Sequence, residues 1–271
     1  MRFDSNLAWK HATQSVSANR DVLLALAGVF FMLPSLIFTV VFPQPEPQAG
    51  ATPDQMLANL SSFYTQAWPL ILAMAMLQLV GTLAILTLFT DRSRPTVGEA
   101  LKEGLSSAMP CIGAQLLIGF GVGLAFALMI GIAAATGSRP LAVVVSLFCM
   151  VGMIYIFIRT SLVAPVVAVD RIRNPVAALR RSWQLTGGNV GRLLLYFLLL
   201  VVAFLVIVIV LMAIIGLLLG LVLNAENARV AAAIISSAVS AVGTLYFVAI
   251  IASIHRQLAG PSAATVSAAF E

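Results

Sequence analysis

Six long apolar stretches occupy most of this 271-residue sequence and limit its fold more than any other feature. They run over residues 22–43, 68–90, 111–136, 141–169, 193–223 and 230–254. Each has about 20 or more residues, enough at ~1.5 Å per residue to cross a hydrocarbon core of ~30 Å. A backbone in hydrocarbon must satisfy its own hydrogen bonds, so the stretches predict transmembrane helices. The predicted fold class is an all-α integral membrane protein with six spans.

The composition agrees with this class. Hydrophobic residues make up 61% of the sequence and charged residues 9%, whereas about 25% charged is usual in soluble domains. The net charge of +5 is therefore better explained by loops that face an anionic leaflet than by nucleic acid, and we expect no nucleic-acid partner. We predict a single membrane domain over 1–260 and a flexible cytoplasmic tail over 261–271.

The positive charges predict an orientation. Thirteen of the 15 Lys and Arg residues lie on one side of the predicted spans, and only Arg139 and Arg229 lie on the other. By the positive-inside rule, the first side and both termini are cytoplasmic. The first stretch starts too late and runs too long for a signal peptide, so we expect it to remain as a span, with a kink at Pro34. The predicted localisation is a bacterial inner (plasma) membrane, crossed several times.

Three segments that precede spans one, three and five share a pattern, over residues 8–24, 100–116 and 178–194. The third position of each is basic, as Lys10, Lys102 and Arg180. We interpret each segment as a cytoplasmic interfacial amphipathic helix that leads into a two-span hairpin, which gives repeat units of approximately 4–90, 96–170 and 174–256. Units with an even number of spans insert with the same polarity, so a pseudo-threefold bundle is expected. The alternative, that the segments share only interface chemistry, stays open.

The third segment has the clearest helix boundaries. Asn174 is a suitable N-cap, and Gly187 with Gly188 can end the helix. Its predicted apolar face, expected to lie toward lipid, consists of Val176, Leu179 and Trp183. In the second segment, Thr96 and Glu99 have the spacing of a capping box.

Small residues recur at four-residue steps in span three, as Gly119, Gly123, Ala127 and Gly131. Such stripes let two helix backbones approach closely in lipid, and we expect ordinary packing at this one. A substrate path lined by small residues is the alternative interpretation.

Few ionisable residues fall inside the predicted spans. Arg159 lies about 18 residues into span four, near the inner interface at standard helix rise. It either snorkels there or pairs with Asp170 or a lipid phosphate. Further arginines form a predicted basic collar at the headgroup level, namely Arg171, Arg173, Arg180, Arg181 and Arg192. Because guanidinium groups bind phosphates bidentately, the collar is either a contact for anionic lipids or only a determinant of topology.

The sequence contains no recognisable catalytic or metal-binding motif. His11 and His255 are the only histidines, and neither has an acid or cysteine at metal-ligand spacing. Cys111 and Cys149 fall at different predicted depths, so we expect no disulfide between them. We also find no phosphate-binding P-loop and no nucleophile elbow. We therefore predict no enzymatic activity, no metal and no cofactor.

One stretch, RTSLVAPVVAVDRIRNPVAALRRSWQLTGGNVGRLLL from Arg159 to Leu195, has a distinctive order of residues. An arginine ends a span, and a proline, an acid, an ALRRSW helix and a Gly-Asn pair follow. The residues that carry this pattern are Arg159, Pro165, Asp170, Ala178, Leu179, Arg180, Ser182, Trp183, Gly188 and Asn189. The stretch resembles the membrane domain family associated with glycerophosphoryl diester phosphodiesterases, which includes stand-alone six-helix bacterial inner-membrane proteins.

That resemblance implies the membrane fold but not the enzymatic activity. In this family the activity belongs to a separate soluble barrel of roughly 250 residues. Because six spans leave no room for such a barrel in this sequence, the activity is not carried over.

These features predict a non-catalytic, lipid-contacting scaffold or envelope-related accessory factor. The expected partners are membrane lipids, anionic ones included, and a separate membrane or enzyme partner. The candidate lipid-headgroup or structural residues are Arg159, Asp170, Arg171, Arg173, Arg180, Arg181, Trp183, Asn189 and Arg192.

Two other function classes are weighed against this one. A transporter or flippase-like carrier of an amphipathic substrate would have a hydrated cavity lined by Gln78, Gln115, Ser236 and Ser240. An intramembrane hydrolase would need converging acids or histidines that the sequence does not offer.

Overall fold

The structure, a computed structural model, describes residues 2–42, 50, 52–90 and 95–260, and the predicted tail 261–271 lies outside these ranges. Within them the regular structure is helical throughout. The elements are α1 (Ser5–Ala18), α2 (Arg20–Ala27), a π-helical turn (Gly28–Met32), α3 (Leu33–Val41), α4 (Pro53–Thr90), α5 (Val97–Ala135), α6 (Arg139–Thr160), α7 (Val163–Ala168), α8 (Pro175–Thr186), α9 (Val190–Val222) and α10 (Ala225–Ala259).

Among the described residues, six helical segments are long and apolar enough to cross a membrane. They are Arg20–Val41, Asp54–Phe89, Val97–Ala135, Arg139–Ala168, Val190–Val222 and Glu226–Ala259. The predicted all-helical, six-span fold class is confirmed, and the chain is a multi-pass integral membrane protein.

The first span is interrupted by the π-helical turn Gly28–Met32. Pro34 lacks an N–H group, and its ring collides in a regular helix with the carbonyl four residues earlier, which is that of Phe30. The wider π turn contains Phe30 and removes this conflict. The irregularity expected at Pro34 therefore lies in the turn that precedes it.

The second predicted interfacial helix is not a separate element, which corrects that part of the repeat prediction. Its capping box at Thr96 and Glu99 is formed, but α5 then continues unbroken to Ala135 with Pro110 inside it. In the third segment, by contrast, α8 ends at Thr186, and Gly188 adopts a φ of 75° that favours glycine. The second segment has no such glycine pair, so its helix runs into the span.

Buried side chains concentrate at the end of the bundle that carries α1, α8 and the arginine-rich connections, which we call the arginine-rich end. Among the largest are Leu83 and Ile85 on α4, Val166 on α7, Leu193 on α9 and Ile254 on α10. In the most apolar 18-residue stretch of α4 and of α10, a third of the residues are buried. In the corresponding stretch of α9, none is buried. The central helices are thus α4 and α10, and the halves of the spans away from the arginine-rich end present exposed apolar side chains.

The three aligned segments bury side chains at the same aligned positions. The equivalent buried residues are Ala8, Ala100 and Ala178, then Ala12, Gly104 and Ser182, and finally Val16, Ala108 and Thr186. A spacing of four and eight residues places them on one helical face. With this face α1 packs on α10, the start of α5 packs on α4, and α8 packs on α6 and α7.

The small-residue stripe of span three does not pack against another part of the described chain. A Cβ atom added at Gly119, Gly123 or Gly131 would meet no atom within 4 Å. Close contacts occur elsewhere, for example at Gly104 against the backbone of α4 and at Gly243 against Phe204. The ordinary packing expected for the stripe is therefore not formed within these residues.

Candidate functional site at the arginine-rich end

Arg159 joins the end of α6 to α8. Its Nη1 donates a hydrogen bond to Thr186 Oγ1 at 3.3 Å, and its carbonyl accepts one from Ser182 Oγ at 2.8 Å. Its guanidinium carbon lies 4.4 Å from the centroid of the Trp183 ring and 5.8 Å from that of Tyr155. These distances are within the range of a cation–π interaction. Arg159 is therefore held against an aromatic wall.

The predicted pairing of Arg159 with Asp170 is not formed among the described residues, because each has other partners. The guanidinium of Arg159 contacts Thr186 and Trp183. The carboxylate of Asp170 contacts Arg181 and His255. The Nε of Arg159 is buried and has no hydrogen-bond partner within the described part of the chain. A charged donor in this state is costly, and an anionic oxygen would satisfy it.

Asp170 connects three segments of the chain. Its Oδ2 lies 3.3 Å from His255 Nε2 on α10 and 3.8 Å from Arg181 Nε on α8. The His255 side chain is only 3% exposed, and its Nδ1 has no partner in the described ranges. The cluster ties the connection after α7 to both helices. No group of three or more His, Cys, Asp or Glu side chains that could hold a metal ion occurs among the described residues.

Sequence reasoning did not include His255 in the candidate site. It contacts a residue 85 positions away, and spacing along the chain cannot show such a contact. The available signal was its depth, because His255 ends span six on the same predicted side as Asp170. Cys111 and Cys149 are buried free thiols.

The basic collar divides into paired and unpaired arginines. Arg173 bonds to Glu103 and, at 2.8 Å, to Ser107 Oγ, both on α5, and Arg181 faces Asp170. Arg171 is exposed and has a φ of 54°, in the left-handed region that non-glycine residues seldom adopt.

Arg180 and Arg192 form the unpaired group. Both are exposed, and neither makes a hydrogen bond or ion pair with any described residue. They are therefore the members of the collar that remain available to an external anion.

Asn189 has a structural position. It is buried, and its Oδ1 accepts a hydrogen bond from the Phe3 N–H at 3.0 Å. The Phe3 ring lies 5.3 Å from that of Tyr196. Asn189 thus fastens the chain before α1 to the start of α9.

The face of α8 that packs on the protein differs from the predicted apolar face. Ala178, Ser182, Leu185 and Thr186 are buried, whereas Val176 and Trp183 are 63% and 40% exposed. Val176 therefore points away from the protein, whereas the Trp183 ring contacts Arg159 and Tyr155 on α6, and Leu179 is half-buried. The buried face consists of the small and polar residues Ala178, Ser182 and Thr186 together with Leu185.

Two adjoining cavities lie between α1, the end of α4 and α10. The larger, of ≈ 280 Å³, is lined by His11, Gln14, Ser15, Ala18, Asn19, Leu88, Phe89 and Arg256. The smaller shares Ser15, Phe89 and Arg256 with it and extends to Ser253. Neither is lined by Gln78, Gln115, Ser236 or Ser240, the residues expected to line a transport cavity.

Residues 133–261 match the family model described as the membrane domain of glycerophosphoryl diester phosphodiesterase. The matched range contains α6 to α10 and all nine residues predicted as lipid-headgroup or structural candidates. The resemblance carried by the stretch from Arg159 to Leu195 is thereby confirmed. No curated protein and no solved structure matches the chain.

Proposed function

From the membrane-domain family that residues 133–261 match, we propose that this chain is a non-catalytic membrane protein that binds anionic lipid headgroups. In this proposal it acts as a scaffold or accessory factor for a separate partner in the envelope. The observation that carries the proposal is the exposure of Arg180 and Arg192 without a carboxylate partner among the described residues. Arginine fits phosphate oxygens bidentately, and each cation at an anionic membrane surface contributes about 1 kcal/mol.

The surroundings of Arg159 support the same function. Trp183 is exposed beside it, and tryptophan is enriched at the level of lipid headgroups. The unpartnered Nε of Arg159 supplies a charged donor at the same end of the bundle. A lipid phosphate beside Trp183 would interact favourably with the charge of the partly exposed Arg159 side chain.

The proposed orientation places the arginine-rich end and both termini in the cytoplasm of a bacterial inner membrane. Alkaline phosphatase, which is active only outside the cytoplasm, tests it when fused after selected residues. A fusion after Gly188 is expected to be inactive and one after Asn224 active. The opposite pattern would contradict the orientation and remove the anionic cytoplasmic leaflet from the proposal.

The threefold repeat is part of this proposal. The burial of equivalent positions in the three aligned segments supports it, because shared interface chemistry alone does not require the same residues to face the protein. In the second unit the amphipathic segment forms the first turns of α5 rather than a helix of its own.

Lipid retention measured by native mass spectrometry tests the headgroup contact. The variant Arg180→Gln/Arg192→Gln removes two exposed charges at the arginine-rich end, and Arg139→Gln/Arg229→Gln removes two exposed charges from the other side. At about 1 kcal/mol per charge, the first variant loses roughly thirty-fold of its preference for phosphatidylglycerol over phosphatidylcholine. The second variant keeps the preference. Equal retention by both variants and the unmodified protein would refute headgroup binding by the collar.

A further inference from the structure

The larger of the two cavities is separate from the arginines of the collar. We call it the α1–α10 cleft, with the lining residues given above. Its floor is the apolar pair Leu88 and Phe89 at the end of α4, and its walls come from α1 and α10. No Asp or Glu is among its lining residues in the described chain.

The walls of the cleft carry positive charge that is not compensated. Arg256 is exposed and makes no hydrogen bond or ion pair with the residues that the structure describes. His11 stands opposite on α1. Its pKa lies below the ordinary 6.5 because burial disfavours the charged imidazolium and because Arg256 and Lys10 repel it. An anion in the cleft would relieve this repulsion.

Ser253 supplies an independent observation. Its side chain is 5% exposed, and its Oγ has no hydrogen-bond partner in the described ranges. Other hydroxyls on α10 donate to carbonyls of their own helix, for example Ser236 to Ala233 at 3.0 Å and Thr244 to Ser240 at 2.9 Å. Ser253 does not, and it lines the smaller cavity that adjoins the cleft. A buried hydroxyl without a hydrogen-bond partner is unfavourable, and a bound oxygen would supply that partner.

We infer that the α1–α10 cleft binds the phosphate group of a phosphoester, with Arg256 and His11 as its charge partners. Gln14 and Asn19 offer amide donors at the rim, and Ser253 offers a hydroxyl at the inner end. The volume of ≈ 280 Å³ suits a phosphate with a few attached carbons, and Leu88 and Phe89 contact the carbons. The phosphate belongs either to a lipid headgroup or to a soluble phosphoester, because both present the same oxygens.

The two histidines of the chain allow a direct test on the full-length protein. With ¹³Cε1-labelled histidine in phosphorus-free maltoside micelles at pH 6.5, two resonances are expected, and His11→Asn identifies which belongs to His11. Inorganic phosphate and dihexanoylphosphatidylglycerol are titrated separately at constant ionic strength. A saturable shift of the His11 resonance with the lipid alone identifies a headgroup site, and a shift with inorganic phosphate identifies a site for soluble phosphates. No saturable shift with either probe overturns the inference.

Variants distinguish the cleft from the collar. Arg256→Gln is expected to weaken the apparent affinity about ten-fold or more, and Ser253→Ala several-fold. Arg139→Gln, which removes an exposed charge on the other side of the predicted spans, leaves it unchanged. Unaltered affinity in both Arg256→Gln and Ser253→Ala overturns the inference. Because the collar test uses Arg180 and Arg192 and a different readout, either proposal can fail while the other stands.

Discussion

The contact between α4 and α5 gives the sharpest test of the fold. A Cβ atom added at Gly104 would lie 2.9 Å from the Val80 carbonyl oxygen, 3.0 Å from the Ala84 N and 3.3 Å from the Ala84 Cβ. Because the two nearest atoms belong to a helix backbone, they cannot rotate away as a side chain would. Gly104→Ala therefore forces the helices apart at a buried position.

The magnitude follows from a comparison with Gly121→Ala. Gly121 also lies inside α5, but a Cβ atom added there would meet nothing within 4 Å. Both substitutions gain the same helix propensity, about 0.8–1 kcal/mol in water, so it cancels from their difference. The difference then equals the overpacking cost at Gly104, about 1–3 kcal/mol.

Reversible unfolding by dodecyl sulfate in mixed micelles measures the free energy of unfolding of both variants. Gly104→Ala is expected to be the less stable of the two by about 1–3 kcal/mol. If the two free energies agree within about 0.5 kcal/mol, α4 and α5 do not approach as described, and the reasoning fails.

Other predictions concern charge and capping. Asp170→Asn weakens the hydrogen bond to buried His255 and is expected to lower the free energy of unfolding by about 1–3 kcal/mol in the same assay; no loss would mean that the contact contributes nothing. In phosphate-free micelles, Arg256→Gln is expected to raise the pKa of His11 toward 6.5 without reaching it, since burial and Lys10 still act; a histidine NMR titration measures this, and an unchanged pKa contradicts it. Asn174→Ala removes a cap whose Oδ1 accepts hydrogen bonds from two backbone N–H groups. It is expected to lower the free energy of unfolding by about 0.5–2 kcal/mol in the same assay, and an unchanged value would contradict this.

Features set by neighbouring residues could be predicted from the sequence. The cap at Asn174 and the capping box at Thr96 depend on backbone N–H groups two or three residues away, and both are formed. The six spans follow from composition and length. The continuity of α5 could also have been anticipated, since nothing like the pair at Gly187 and Gly188 follows its first turns.

Features set by tertiary contact could not be predicted in this way. The sequence predicts Arg159 as the partner of Asp170, whereas the structure supplies Arg181 and, from the last span, His255. Helical periodicity on α8 identified the predicted apolar residues but not the buried face, which consists of Ala178, Ser182, Leu185 and Thr186. In a membrane protein, apolar side chains have lipid as an alternative partner, so hydrophobicity alone does not show which face meets another helix.

The uneven distribution of buried side chains has a consequence for bilayers of different thickness. Helices longer than the local hydrocarbon width adjust by tilting, at a small cost per ångström of mismatch. Here the far halves of α5, α6 and α9 are largely exposed in the part of the chain that the structure describes, so each can change its tilt about the packed end. A thinner or thicker membrane would thus be accommodated at one surface only, while the packed arginine-rich end at the other keeps its geometry.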